Sequence, residues 1–131
     1  MLVIVTVPVP RRPHADGQES HTWGQPRQVA ILAHPNVTAI DIAGPADVFA
    51  HAGMFGGAYQ TTIVSPGGND VRTSSGLTIR ADGKPEELGP LDIVIIPGAM
   101  GMVDRPFYPG VLAAVEITLD PERAVRPRGR G

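Results

Sequence analysis

The chain has 131 residues, is 42% hydrophobic and 18% charged, and carries a formal net charge of −2. Such values describe one globular domain with no global electrostatic pull toward nucleic acid. It contains no cysteine, which excludes disulfides, thiolate metal sites and a cysteine nucleophile from these residues and fits a cytoplasmic location.

In chain order, residues 1–26 read as a leader outside the fold. The opening MLVIVTVPVP is apolar but proline-punctuated. It is too short to span a membrane and lacks the basic flank of a signal peptide. The polar stretch RRPHADGQESHTWGQPR follows. The alternative for this region is an extra edge strand from Leu2 to Val7.

Residues 27–119 carry the fold. VAILA (29–33) is a continuous apolar run of strand length, the pattern of a strand buried on both faces. Gly44-Pro45 predicts a helix start, with Asp47 in the first turn where the helix dipole favours an acid. Val48, Phe49 and Ala52 form its apolar stripe, and Gly53 with Gly56-Gly57 ends it. YQTTIVS (59–65) alternates and is rich in β-branched residues, so it is a second strand. PGGND then turns the chain, and VRTSSGLTIRAD predicts two short strands bent at Ser75-Gly76. LDIVIIP (91–97) is the strongest strand pattern, and a helix is expected over 109–118 from Pro109. Buried strands alternating with helices imply an open α/β architecture with a parallel sheet. Residues 120–131, DPERAVRPRGRG, lose all apolar periodicity and read as an irregular basic tail. Four arginines with no aromatic interleaving make a weak nucleic-acid signal.

In open α/β sheets, ligands bind outside the carboxyl ends of the strands. Two loops leave such ends here: HPNVTAIDIAGP after the first strand and PGAMGM after residues 91–97. If those strands are neighbours, Asp41 approaches the backbone of Gly98 and Ala99, whose N–H groups could receive an oxyanion or carboxylate. Asp41 lies between Ile40 and Ile42, a setting that reads as buried. Its carboxylate is either a brace accepting backbone N–H groups or an acid facing a reactive group. Gly98 and Gly101 alternatively serve only a tight turn.

Other candidates are weaker. His34 is a loop residue or a base. His14, His21, His34 and His51 show no ligand spacing, so no metal is implied. Ser65, Ser74 and Ser75 lie outside any G-x-S-x-G context. GAMGM lacks the Lys-Ser/Thr of a P-loop and the third glycine of a dinucleotide fingerprint, and no cofactor is implied. Met100 and Met102 read as loop caps.

The segments AILAHPNVTAIDIAGPADVFAHAG, YQTTIVSPGGNDVRTSSGLTIRAD and LDIVIIPGAMG together resemble, in order, the first half of a DJ-1/PfpI superfamily domain, within the class I glutamine amidotransferase-like group. The resemblance covers about residues 28–115. The branch it resembles contains isonitrile hydratases and the amidase-like sensor domains of AraC-type, GlxA-like transcriptional regulators. The resemblance implies a flavodoxin-like parallel sheet with flanking helices, incomplete at its C-terminal end, and a homodimer. It places Asp41, Gly44, Gly98 and Ala99 at a ligand pocket. The family nucleophile is a cysteine on a strained elbow after the helix near 109–118, where this chain has RAVRPRGRG instead.

The implied product is a truncated small-molecule-sensing domain without enzyme activity or a DNA-binding helix-turn-helix. The alternative is an inactive fragment of an isonitrile hydratase-like enzyme, and a third possibility is a product that does not fold stably. The abrupt change near residue 119 suggests a shifted reading frame. With later strands missing, the strand at 91–97 is expected to expose an open edge that promotes self-association. No direct nucleic-acid or membrane partner is implied.

Overall fold

The computed structural model describes residues 2–6, 26–98 and 109–120. Its central strand is β2, Arg27–Leu32, whose residues from Val29 onward are all buried. Strand β3, Tyr59–Val64, pairs parallel with β2 from Arg27↔Tyr59 to Leu32↔Val64. Strand β6, Ile93–Pro97, pairs parallel on the other side of β2, with Ala30 opposite Val94 and Ile31 opposite Ile95. Between β3 and β6 lies a separate antiparallel ribbon of β4, Val71–Arg72, and β5, Thr78–Ile79. It turns through Gly76 at φ 90°, a conformation that favours glycine.

Two helices cover the sheet, α1 over Ala39–Ala52 and α2 over Pro109–Thr118. Strand side chains alternate between faces, and the packing divides accordingly. Val29, Ile31 and Ile95 are buried with Ile42 of α1, and Ala46 and Phe49 pack against them. Ala30, Val94 and Ile96 instead face Val115 of α2 and Leu119 just beyond it, while Leu32 and Val64 meet Ala114 and Val115. The helices therefore lie on opposite faces of the sheet. Burying one side chain of the size of Ile31 is worth about 1.5–3 kcal/mol, so this two-sided burial is the main source of cohesion. The result is the expected α/β layering, a parallel sheet flanked by helices.

Three details differ from the expectations. The helix α1 begins at Ala39, with Thr38 in extended conformation before it, and contains Pro45 inside. The Thr38 side chain makes no cap bond; its N–H is held by the Gly98 carbonyl, and Asp41 falls in the first turn, where the helix dipole favours an acid. Second, Ile40 is 73% exposed, so Asp41 does not sit between two buried neighbours. Third, Leu2–Thr6 form a strand, β1, pairing antiparallel with β6 from Leu2↔Pro97 to Thr6↔Ile93. For those five residues the edge-strand alternative holds, and the expected open edge on 91–97 is covered. Residues 7–25, including Trp23, and the tail from 121 onward lie outside the described residues.

Candidate functional site

Because β2 and β6 are parallel neighbours, their carboxyl ends deliver their loops to one corner of the sheet. Two contacts weld that corner. The Thr38 N–H donates to the Gly98 carbonyl at 3.4 Å. His34, only 2% exposed, places Nε2 2.9 Å from the Pro97 carbonyl and Nδ1 3.2 Å from the Pro35 carbonyl. Both partners are carbonyls, which only accept, so whichever ring nitrogen carries the proton donates to the one it faces. With both ring nitrogens directed at backbone carbonyls, His34 is a loop residue, as expected, and a buried clamp between the β2–α1 loop and the end of β6 rather than an exposed base.

The ribbon of β4 and β5 forms the third side. Asn36, in the left-handed region at φ 65°, donates its N–H to the Arg72 carbonyl at 3.0 Å. The Ser74 N–H donates to the Val37 carbonyl at 3.0 Å. Thr73 is buried and holds the turn closed: its N–H reaches the Leu77 carbonyl at 2.7 Å, and its Oγ1 accepts the Leu77 N–H at 3.0 Å. The β2–α1 loop is thus pinned from two directions by backbone bonds. Ser74 and Ser75 are exposed on this turn, Ser75 Oγ lying 3.1 Å from Thr73 Oγ1. Ser65 is buried and bonded to the Asn69 carbonyl. None of these three serines has a base hydrogen-bonded to its hydroxyl.

Asp41 stands on the first turn of α1, three residues past the Thr38–Gly98 contact, with its own N–H on the Thr38 carbonyl at 3.0 Å. It is half-buried, and among the described residues no hydrogen bond or ion pair engages its carboxylate. The brace alternative requires backbone donors on that carboxylate, and none is there among the described residues. Gly44 follows at the i+3 position on the same side of the helix. A Cβ added there would meet nothing within 4 Å, so packing does not require the glycine. Pro45 has no N–H to offer the Asp41 carbonyl, which weakens the helix ladder at this point. Of the four residues expected at the pocket, Asp41 and Gly44 lie on the first turns of α1, Gly98 accepts the N–H of Thr38 just before that helix, and Ala99 lies outside the described residues, as do Met100 and Met102.

A half-buried carboxylate without a partner can accept hydrogen bonds from a ligand or pair with a cation. It cannot by itself form a covalent intermediate, and the chain has no thiol to activate. Among the described residues no group of three or more His, Cys, Asp or Glu converges as a metal site, and no helix is long and apolar enough to cross a membrane.

The His34 clamp and the Thr73 turn were not evident from sequence. The His34 partner that joins the strand ends, Pro97, is remote along the chain, and Thr73 lay in the first of two short strands expected to bend at Ser75-Gly76. The helix-start signal T-x-x-D at Thr38 and Asp41 was present and locates the acid correctly.

Comparison with known proteins agrees with this architecture. The model of the DJ-1/PfpI family matches residues 27–123. An uncharacterized protein from the cpoL 5′ region of Streptomyces lividans is 32% identical over 91 residues, covering 70% of this chain and 64% of that protein. A DJ-1 superfamily protein from Agrobacterium tumefaciens superposes with a TM-score of 0.54 at 22% identity, over 74% of this chain and 50% of the other. A ThiJ/PfpI family protein from Pseudomonas syringae gives 0.53 at 21% identity, over 91% of this chain and 47% of the other. At such identities the solved structures establish the fold alone. The chain spans 64% of the curated relative and about half of each of these structures. From the span of the family match and the strand–loop–helix corner that it covers, the chain belongs to the DJ-1/PfpI family.

Proposed function

We propose that this chain is a small-molecule-binding portion of a DJ-1/PfpI domain, of the sensor type that begins AraC-type, GlxA-like regulators, and that it binds without catalysis. One observation carries the proposal: the half-buried Asp41 carboxylate has no partner among the described residues, yet stands at a corner held by the hydrogen bonds of His34, Thr38 and Thr73. A fixed site with an unused acceptor suits a neutral or cationic ligand that bears a hydrogen-bond donor. Gly44 supplies open space beside the carboxylate, and the strand end at Gly98 forms the floor. The sensor assignment rests on the combined D-x-x-G-P-x-x-V-F, SSGL and PG-x-x-G segments, and the lack of catalysis on the absence of any cysteine. Self-association into a homodimer belongs to the same proposal, and nucleic acid does not bind this chain directly.

Amide NMR spectra of the full chain, titrated with small amines, amides and an aliphatic isonitrile, test the proposal. Shifts centred on Asp41, Gly44 and Gly98 are expected, and they should vanish in Asp41→Ala, with the isonitrile unconsumed. Conversion of the isonitrile to its formamide would overturn the sensor assignment in favour of the hydratase-like alternative. Shifts confined to other residues would overturn the site itself.

A further inference from the structure

The tip of the β4–β5 ribbon carries an arginine and two exposed serines whose side chains take no part in holding the ligand site. Three residues, 74–76, join Thr73 to Leu77, and the Gly76 N–H donates to the Thr73 carbonyl at 3.0 Å. Gly76 closes this hairpin loop from the left-handed region, at φ 90°. Ser74 and Ser75 are exposed, while Thr73 beneath them is buried. The Arg72 guanidinium folds back over the same loop. A Cβ built on Gly76 would lie 3.5 Å from one of its terminal nitrogens and 4.0 Å from its Nε.

Among the described residues no hydrogen bond or ion pair engages that guanidinium. The acids flanking the ribbon are occupied: Asp70 Oδ1 accepts the Ala81 N–H at 3.3 Å, and Asp82 Oδ2 accepts the Ile63 N–H at 2.8 Å. A guanidinium presents its donors in a planar fork that matches phosphate. Ser75 directly precedes the glycine that this fork covers, and its Oγ lies 3.1 Å from Thr73 Oγ1. Thr73 Oγ1 already accepts the Leu77 N–H at 3.0 Å, so its own proton is left to donate to an oxygen on residue 75. The loop is closed by the bonds of Thr73 to Gly76 and Leu77. With its tip exposed and so few bonds across it, the loop opens to an extended form well before the sheet does.

We propose that Ser75 is a phosphorylation site whose phosphate is held in cis by Arg72. The phosphoryl donor is a nucleoside triphosphate on a protein kinase that selects a basic residue ahead of the serine, since such enzymes choose substrates by charge pattern. Ser75 Oγ attacks the γ-phosphorus, and the bond from that phosphorus to the β-phosphate oxygen breaks. The nucleoside diphosphate leaves, and the serine proton passes to the catalytic base of the kinase. The product adds a charge of about −1.5 to −2 and three acceptor oxygens, which engage the Arg72 fork and the Thr73 hydroxyl. Two bonds tie this ribbon to the β2–α1 loop, Asn36 N–H to the Arg72 carbonyl and Ser74 N–H to the Val37 carbonyl, both at 3.0 Å. The modification is therefore felt at the loop that leads into α1. This proposal stands independently of the ligand site.

Phosphate transfer to the full-length chain tests the proposal, with adenosine triphosphate and, as the probe enzyme, the catalytic subunit of cyclic-AMP-dependent protein kinase, which selects serines preceded by arginine. Peptide mass spectrometry should place a phosphate on Ser75, and that peptide should remain unmodified in Ser75→Ala. In NMR spectra of the phosphorylated parent chain, the Arg72 Nε–H resonance should move downfield. The amides of Asn36 and Ser74 should shift with it, and all three should return after phosphatase treatment. No phosphate on Ser75, or phosphate on Ser74 in its place, would overturn the proposal. So would a phosphorylated Ser75 that leaves the Arg72 Nε–H resonance where it was, because the cis pairing would then be absent.

Discussion

His34 Nε2 lies 2.9 Å from the carbonyl of Pro97, a residue 63 positions away, and joins the end of β2 to the end of β6 inside the protein. The bond ties the β2–α1 loop to the carboxyl end of β6, on which the candidate site is built. Replacing His34 with Leu removes the donor and leaves a buried carbonyl unpaired, at a cost of about 1–3 kcal/mol. Urea unfolding should show the midpoint falling with an unchanged slope. A midpoint within experimental error of the parent would mean that the clamp is not formed in solution.

Asp41 should behave in the opposite way. With no partner on its carboxylate, its contribution to stability is limited to the helix-dipole interaction in the first turn, about 0.3–1 kcal/mol. Asp41→Ala should therefore fold nearly as stably as the parent while losing the ligand-induced amide shifts. A loss of several kcal/mol would show that the carboxylate braces the loop after all.

Asp92 is the acid that does act as a brace. Its Oδ2 accepts the Gln28 N–H at 2.7 Å, and its own N–H donates to the Gln28 carbonyl at 2.9 Å, so it extends the β2–β6 ladder at the end remote from the site. Asp92→Ala should cost about 1.5–3 kcal/mol, the scale for a hydrogen bond to a charged group. Asp92→Asn keeps an acceptor oxygen and should recover most of that in the same melts. Equal losses in both variants would exclude the hydrogen bond as the cause.

Strand identities and their parallel order were legible because continuous apolar runs such as 29–33 and 93–97 have few other uses in a chain of this size. The contact between the two strand ends, seen at Thr38 and Gly98, followed from that order. The start of α1 was misplaced because Gly44-Pro45 is a strong local signal, whereas Thr38 gains its weight from the tertiary bond to Gly98. The prolines at 8 and 10 masked β1, whose pairing with β6 is a long-range event with no local signature. His34 was underestimated for the same reason: a histidine becomes a clamp only when a distant strand end arrives.

Pro45 offers a test of how the helix serves the site. Proline in a helix interior costs about 3 kcal/mol relative to alanine, through the missing N–H and the clash with the carbonyl one turn back. That carbonyl belongs to Asp41. Proline also narrows the unfolded ensemble, which offsets about 0.4–1 kcal/mol. The helix term is the larger, so Pro45→Ala should stabilise the chain by about 2 kcal/mol, raising the urea midpoint. The restored N–H would bond the Asp41 carbonyl and tighten the first turns of α1. Protection of the residue 45 amide against hydrogen exchange would report that bond directly. If ligand binding depends on the looser turn, the stabilised variant should bind more weakly although Asp41 itself is intact. A variant no more stable than the parent, with a freely exchanging amide at position 45, would show that α1 remains broken there for reasons other than proline.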